Sequence, residues 1–315
     1  MQSIVALAAL IAIVLLLVWL AFRAVRLKNG VLRWCGAGLA SLLALAVACV
    51  SALAVAGMVK QQARRAPAVN LAVEVSPQRL ARGKGLVDGF CSGCHSRTGL
   101  LTGGVDIGKD FPLPVGAFVS SNLTPAGALS HWSDGEIFRA IRNGVDAEGR
   151  WLVVMSYTNA GKLSDEDIEA LIAYIRSVPA AGVPTPSPPD RINLLGLAML
   201  GAGMLPSGKP VITDSSAAPP KAPTAAYGEY ILSYQDCREC HGANLVGGLS
   251  GQMAPIGPGL TIVKDWQRSE FIAAMRTGID PSRHHINGAV MPWRTIGRMD
   301  DDELAAIYAY LMQLP

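Results

Sequence analysis

Aromatic residues make up only 6% of this 315-residue chain, and its formal net charge is only +3. Without a basic stripe or interleaved aromatics, a nucleic-acid role has no electrostatic support. Cysteine is scarce as well. Of the six, Cys35 and Cys49 lie in an apolar stretch, where a thiol is ordinarily a packing residue. The other four fall in two tight pairs, which leaves none for a structural disulfide. The N-terminus also lacks the basic region that opens a cleaved signal peptide; its charges follow an apolar run that is itself too long. Ala54-Val55-Ala56, at the end of the second apolar segment, is shaped like a cleavage site and leaves cleavage there as the alternative.

What is present is the pattern Cys-x-x-Cys-His, twice: Cys91-Ser92-Gly93-Cys94-His95 and Cys237-Arg238-Glu239-Cys240-His241. Two thiols three residues apart share one side of a helical turn, within reach of both vinyl groups of one porphyrin. The adjoining His95 or His241 then supplies the proximal imidazole of the iron. The pattern is the attachment site of a c-type haem. A zinc site would need further Cys or His at ligand spacing, and a redox dithiol has no need of the trailing His. Two covalent haems are therefore expected, on Cys91/Cys94 and Cys237/Cys240.

The mean hydropathy of +0.32 is set by the first sixty residues. Ser3 to Phe22 and Trp34 to Met58 are uncharged and long enough to span a bilayer as helices. Arg23, Arg26, Lys28 and Arg33 lie in or beside the short connection, which the positive-inside rule puts in the cytoplasm. Both ends of the hairpin then face outward. Haem attachment agrees, because in bacteria the thioethers form outside the cytoplasmic membrane. The expected location is a multi-pass protein of the bacterial cytoplasmic membrane with its haem domains on the periplasmic side.

The two motifs open similar segments, an internal repeat. His131-Trp132-Ser133-Asp134-Gly135-Glu136 through Gly144 matches Trp266-Gln267-Arg268-Ser269-Glu270 through Gly278, pairing Trp132 with Trp266 and Arg142 with Arg276. Each is an amphipathic helix ending at a C-cap glycine. Closing helices follow, at Ser164 to Val178 and from Asp300, with Asp167 and Glu303 three residues beyond each N-cap. Those acids read as capping and dipole-opposing groups, with a docking patch as the alternative. Ser76-Pro77 starts a helix ahead of the first motif, and Gly83, Gly85 and Gly228 permit close packing of first helix on last. The fold class is all-α: a two-helix transmembrane hairpin and two small haem domains whose porphyrin completes the core. The expected limits are 1–60 for the hairpin, 61–75 for a linker and 76–180 for the first haem domain. A Pro/Ala-rich linker with a short apolar segment follows at 181–223, then the second haem domain at 224–315. Asn193 to Leu205, inside that linker, is too short to cross a bilayer; it lies on the membrane, meets a partner, or packs as a buried helix.

A haem iron held by one His has a sixth position to fill, and electron-transfer haems fill it with Met or a second His. Met155 and Met291 occupy the same slot of the two repeats, ahead of the closing helix, and are the expected ligands. Met253, Met275 and Met312 read as core. His131, His284 and His285 have no counterpart in the other repeat. Trp132, Arg142, Trp266 and Arg276 are candidate haem contacts, against plain packing for the Trp and solvation for the Arg.

The run Ser121-Asn122-Leu123-Thr124-Pro125, followed by His131-Trp132-Ser133-Asp134-Gly135-Glu136, resembles the multihaem cytochrome c subunits of membrane-bound alcohol and aldehyde dehydrogenases. Gly257-Pro258-Gly259-Leu260-Thr261 resembles the loop of class I cytochromes c whose Pro carbonyl orients the proximal His. By that likeness Pro258 holds His241; Ser121 stands in the first domain's slot, so the detail is not expected to carry over to His95. The resemblance covers residues 76–315 and implies class I cytochrome c-like domains. Those dehydrogenase subunits usually carry three haems and no such hairpin; in architecture the chain is closer to the diheme anchored subunit of cbb3-type oxidases, without that subunit's own signature. The implied function is a membrane-anchored diheme cytochrome with no bond chemistry of its own. It would carry electrons between a periplasmic dehydrogenase and a respiratory acceptor, quinone or terminal oxidase, as a subunit of a membrane complex. The alternatives are the electron-accepting subunit of a cbb3-like haem-copper oxidase and a diheme enzyme such as a peroxidase, which needs the iron position that Met155 and Met291 would fill.

Overall fold

The structure is a computed structural model describing residues 2–96, 98–205, 207–252 and 254–315. Met253 lies outside the described residues. The chain divides into two compact units, one of Met1–Arg65, Asp106–Val119 and Ser187–Lys209, the other of Ala66–Val105, Ser120–Pro186 and Pro210–Pro315.

In the first unit α1 (Gln2–Ala24) packs along α2 (Gly30–Ala63). Asn29 starts α2: its side-chain oxygen accepts the Val31 and Leu32 N–H groups at 3.0 and 3.2 Å. Val5–Ala24 and Gly30–Ala63 are long enough to cross a membrane and contain 18-residue stretches of mean hydropathy 3.1 and 2.6, which makes the pair a membrane anchor. Their outward faces carry exposed Leu15, Leu16, Trp19, Leu39, Leu42 and Leu45. Cys35 and Cys49 are exposed on α2 rather than packed, a correction to the expectation for thiols in apolar helices.

The segment expected to be a linker is in good part folded into this unit. β2 (Asp190–Ile192) pairs antiparallel with β1 (Gly116–Phe118), Ala117 opposite Arg191. α8 (Leu194–Gly201) lies against α2. A Cβ at Gly57 would sit 1.9 Å from the Leu197 carbonyl oxygen, and one at Gly201 would sit 1.9 Å from that of Leu53. Only glycine lets two backbones approach so closely. Lys60 donates to the Leu200 and Gly201 carbonyls at 3.1 and 3.0 Å, a cation on the negative end of α8. The apolar segment thus forms a helix that packs on α2.

The second unit is helical and repeats one order of elements. In the first half these are α3 (Pro77–Leu86), α4 (Ser92–His95), α5 (Asp134–Asn143), α6 (Val153–Tyr157) and α7 (Asp165–Ser177). In the second half they are α9 (Ala225–Tyr234), α10 (Cys237–His241), α11 (Arg268–Thr277), α12 (Trp293–Ile296) and α13 (Asp301–Leu311). A π-helical turn, Val87–Cys91, joins α3 to α4. Ser164 caps α7 and Asp300 caps α13, while Gly144 and Gly278 end α5 and α11 in the left-handed region, at φ of 60° and 71°. First and last helices of each repeat cross at a glycine. A Cβ at Gly83 would lie 2.0 Å from the Ala170 carbonyl oxygen, and one at Gly228 would lie 2.0 Å from that of Ala306. Gly85 faces open space and makes no such approach. The stripe Ile168, Leu171, Ile172 and Ile175 is buried in one continuous core with Leu304, Ile307 and Leu311. Met275 is buried as expected; Met312 is 41% exposed and is not a core residue.

Candidate haem sites

The helical turns α4 and α10 present the two Cys-x-x-Cys-His motifs. Burial pushes the Cys91 and Cys237 thiols up to about 12 and raises Cys240 as well. A redox dithiol is activated in the opposite direction, so these thiols are not built for exchange chemistry. Among the described residues no three His, Cys, Asp or Glu side chains converge as the ligands of one ion do. Such a donor set, spread over a turn, fits a flat macrocycle held at two thioethers and one iron ligand.

His95 Nδ1 lies 2.8 Å from the Ser121 carbonyl oxygen, and His241 Nδ1 lies 2.7 Å from that of Pro258. An Nδ1–H that donates to a carbonyl fixes the tautomer and leaves Nε2 as the free lone pair for a metal. Burial holds His95 below its ordinary imidazole value, against the opposing pull of the Ser121 bond, which favours the neutral ligand form. The Pro258 contact agrees with the loop resemblance. The first domain corrects it: the bond carries over to His95 through Ser121, because the acceptor is the backbone carbonyl and the proline ring is dispensable.

The scaffolding around each histidine is the same. The Gly103 N–H donates to the His95 carbonyl and the Gly247 N–H to that of His241, both at 2.9 Å. Leu123 N–H donates to Leu101, and Leu260 N–H to Leu245, both at 2.8 Å. Gly257 is required beside His241, since a Cβ there would lie 2.7 Å from Nδ1. Gly103, at φ of 60°, has the Ser120 and Ser121 carbonyls within 2.5 Å of where its Cβ would be. Sequence reading placed Ser121 in the slot of Pro258 but gave it no bond to His95, and it missed Gly103; the signal was there, in Leu123 and Leu260, each two residues after the carbonyl that holds its histidine.

Met155 lies in α6 and Met291 just before α12, both half-buried. Trp132 and Trp266 are half-buried against the core. Arg142 is almost fully buried, and its guanidinium bonds the Gly161 and Leu163 carbonyls and Asp165, stacked on Phe138. Arg276 makes the matching bond to Asp301 at 2.8 Å, in the open. Both arginines thus tie α5 or α11 to the closing helix; a propionate contact would be additional to these bonds. His131, His284 and His285 are exposed.

Comparison with known proteins agrees with this geometry. Residues 78–175 match the family profile of cytochrome c oxidase, cbb3-type, subunit III, and residues 225–315 match that of cytochrome c. The cytochrome c subunit of a quinone alcohol dehydrogenase from Gluconacetobacter polyoxogenes is 29% identical over 259 residues, covering 72% of this chain and 54% of the relative. The corresponding alcohol dehydrogenase subunit of Gluconobacter oxydans is 26% identical over 260 residues, 71% of this chain and 52% of that one. The fructose dehydrogenase cytochrome subunit of Gluconobacter japonicus is 29% identical over 165 residues, 48% of this chain and 32% of that one. The chain spans about half the length of the alcohol dehydrogenase subunits it matches. Anchored histidines, paired thiols and matched profiles together make residues 78–175 and 225–315 two cytochrome c domains, each carrying a covalently bound haem c.

Proposed function

We propose that this chain is the electron-transfer subunit of a membrane dehydrogenase complex, passing single electrons through two six-coordinate haems. The observation that carries the reading is the pair of carbonyl-anchored histidines, each with Nε2 free for iron in a domain of its own. Haem c supplies the one-electron Fe(III)/Fe(II) couple when bound. The chain does the rest. Cys91, Cys94, Cys237 and Cys240 would fix each macrocycle, His95 and His241 would be the proximal ligands, and Met155 and Met291 would fill the sixth positions. Closed positions leave no site for substrate at iron, which favours a carrier over a peroxidase. The haem domains take residues 76–180 and 224–315, facing the periplasm from a two-pass hairpin, a reading supported by Arg26 and Lys28 between α1 and α2 and by Arg23 and Arg33 beside them.

The dehydrogenase partner rests on the names of the relatives, and the acceptor would be quinone or a terminal oxidase. A second reading, electron input to a cbb3-like oxidase, draws on the profile matched by the first haem domain. Purification from the native membrane in mild detergent, with mass spectrometry of what co-purifies, separates the two. A dehydrogenase large subunit supports the first reading; an oxidase core subunit replaces it with the second.

A further inference from the structure

The two haem domains meet inside one compact unit, and the contact is built. At its centre is Arg82, on α3 of the first domain. Its Nε and Nη2 donate to the two carboxylate oxygens of Asp167, both at 2.7 Å, and its Nη1 donates to Glu303 at 2.5 Å. Asp167 and Glu303 are equivalent residues: each is the third residue of its domain's closing helix, α7 or α13. Their side chains are only 9% and 3% exposed. Two such carboxylates brought together repel, and a planar guanidinium is the one side chain that can bind one of them at two points and still reach the other.

The surroundings of the two carboxylates differ. Tyr230, on the second domain's α9, donates its hydroxyl to Asp167 at 2.5 Å and accepts the Ser164 N–H at 2.9 Å. Lys221 stands 3.8 Å from Glu303 and bonds Asp300. Tyr227, which precedes Gly228 as Arg82 precedes Gly83, has a buried hydroxyl with no protein partner. Sequence reading assigned Asp167 to capping; the structure caps α7 through Ser164 and turns the Asp167 carboxylate to the domain contact.

Away from Arg82, each haem-attachment segment is held by the other domain. Gln235 donates to the Gly89 carbonyl at 3.1 Å, beside Cys91. Asn159, four residues after Met155, donates through its side chain to Asp236 at 2.7 Å, next to Cys237. Arg298, seven residues after Met291, donates to Ser92 at 3.1 Å, between Cys91 and Cys94.

We propose that Arg82 is a positioning residue that locks the two haem domains into one fixed pair, by binding the equivalent carboxylates Asp167 and Glu303 of both closing helices with a single guanidinium. The fixed pair sets the spacing across which an electron passes from one haem to the other. That consequence rests on the carrier reading above; the lock itself does not.

The test uses the full-length, haem-loaded protein in detergent, as wild type and as Arg82→Met. Hydrogen exchange is read at the Asn159 amide, which bonds Asp236 across the contact at 3.1 Å, and at the core amides of α7 and α13. The expected result is exchange at least about tenfold faster at Asn159, with the two cores unchanged, because the domains part without unfolding. Adding Asp167→Asn and Glu303→Gln to Arg82→Met removes the facing charges and is expected to return Asn159 toward its wild-type rate. Tyr227→Phe, which breaks no protein hydrogen bond, is the control and should leave it alone. Unchanged exchange at Asn159 in Arg82→Met overturns the lock. So does faster exchange in one core as well, which would make Arg82 a stabiliser of a single domain. Flash reduction then tests the consequence separately: a slower haem-to-haem rate is expected in the undocked variant, an unchanged rate overturns the role in spacing and leaves the lock standing, and no haem-to-haem transfer in the wild type contradicts the carrier reading.

Discussion

The first haem domain and the second solve the same problem with different residues. Both hold the proximal imidazole on a backbone carbonyl, yet the residue that offers it is Ser121 in one and Pro258 in the other. Both cross their first and last helices at a glycine, and both tie the helix before the Met loop to the closing helix with an arginine. The difference lies in burial. Arg142 has a side chain 2% exposed and satisfied by three protein acceptors, whereas Arg276 is 36% exposed and ion-paired with Asp301 at the surface. What the repeat preserves is backbone geometry and the position of a charge; side-chain identity is free wherever the backbone does the bonding.

The largest break in this comparison comes from removing an attachment site. A Cys91→Ala, Cys94→Ala variant should lose about half of the covalent haem measured by pyridine haemochrome, and the first domain with it, because a porphyrin supplies so much of so small a core. The matching Cys237→Ala, Cys240→Ala variant should lose the other half. Next come the arginines. Arg142→Ala strands the buried Gly161 and Leu163 carbonyls and leaves the part-exposed Asp165 without its cation, and should cost about 2–4 kcal/mol in thermal or denaturant unfolding. Arg276→Ala removes an exposed pair and should cost less than about 1 kcal/mol. Equal effects would dissolve the difference drawn between the domains.

Gly83→Ala and Gly228→Ala sharpen the likeness instead. Each adds a Cβ at 2.0 Å from a carbonyl oxygen of the closing helix, so each should cost roughly 1–3 kcal/mol, and by similar amounts. The smallest effect belongs to Pro258→Ala. It keeps the carbonyl, so it should change stability by about 0.5 kcal/mol at most and leave the iron–histidine stretch in resonance Raman where it was. Gly257→Ala, one residue earlier, should move that band, since its Cβ meets His241 Nδ1.

Much of this was legible along the chain, because its signals are local. The attachment motifs, the hairpin, the caps at Ser164 and Asp300, the terminators Gly144 and Gly278 and the crossing glycines Gly83 and Gly228 all announce themselves within one turn or one period. What stayed hidden depends on pairing between distant segments. β1 and β2 are three residues each, too short for an alternation, and α5, α6 and α7 come between them in the chain. α8 has the composition of any buried helix, and nothing in it names α2 as its partner. Nothing along the sequence marks Arg82, one cation on a short helix; its partners lie 85 and 221 residues away. Ser121 was passed over because the resemblance pointed to a proline, where the chemistry needs only the carbonyl that every residue has.

The most direct test of the central claim is near-infrared magnetic circular dichroism of the oxidised, purified chain. The account predicts two haems per polypeptide, each with the charge-transfer band of His/Met ligation and no high-spin component. A high-spin, five-coordinate haem in either domain would contradict it and return the chain to the enzymes that do chemistry at iron.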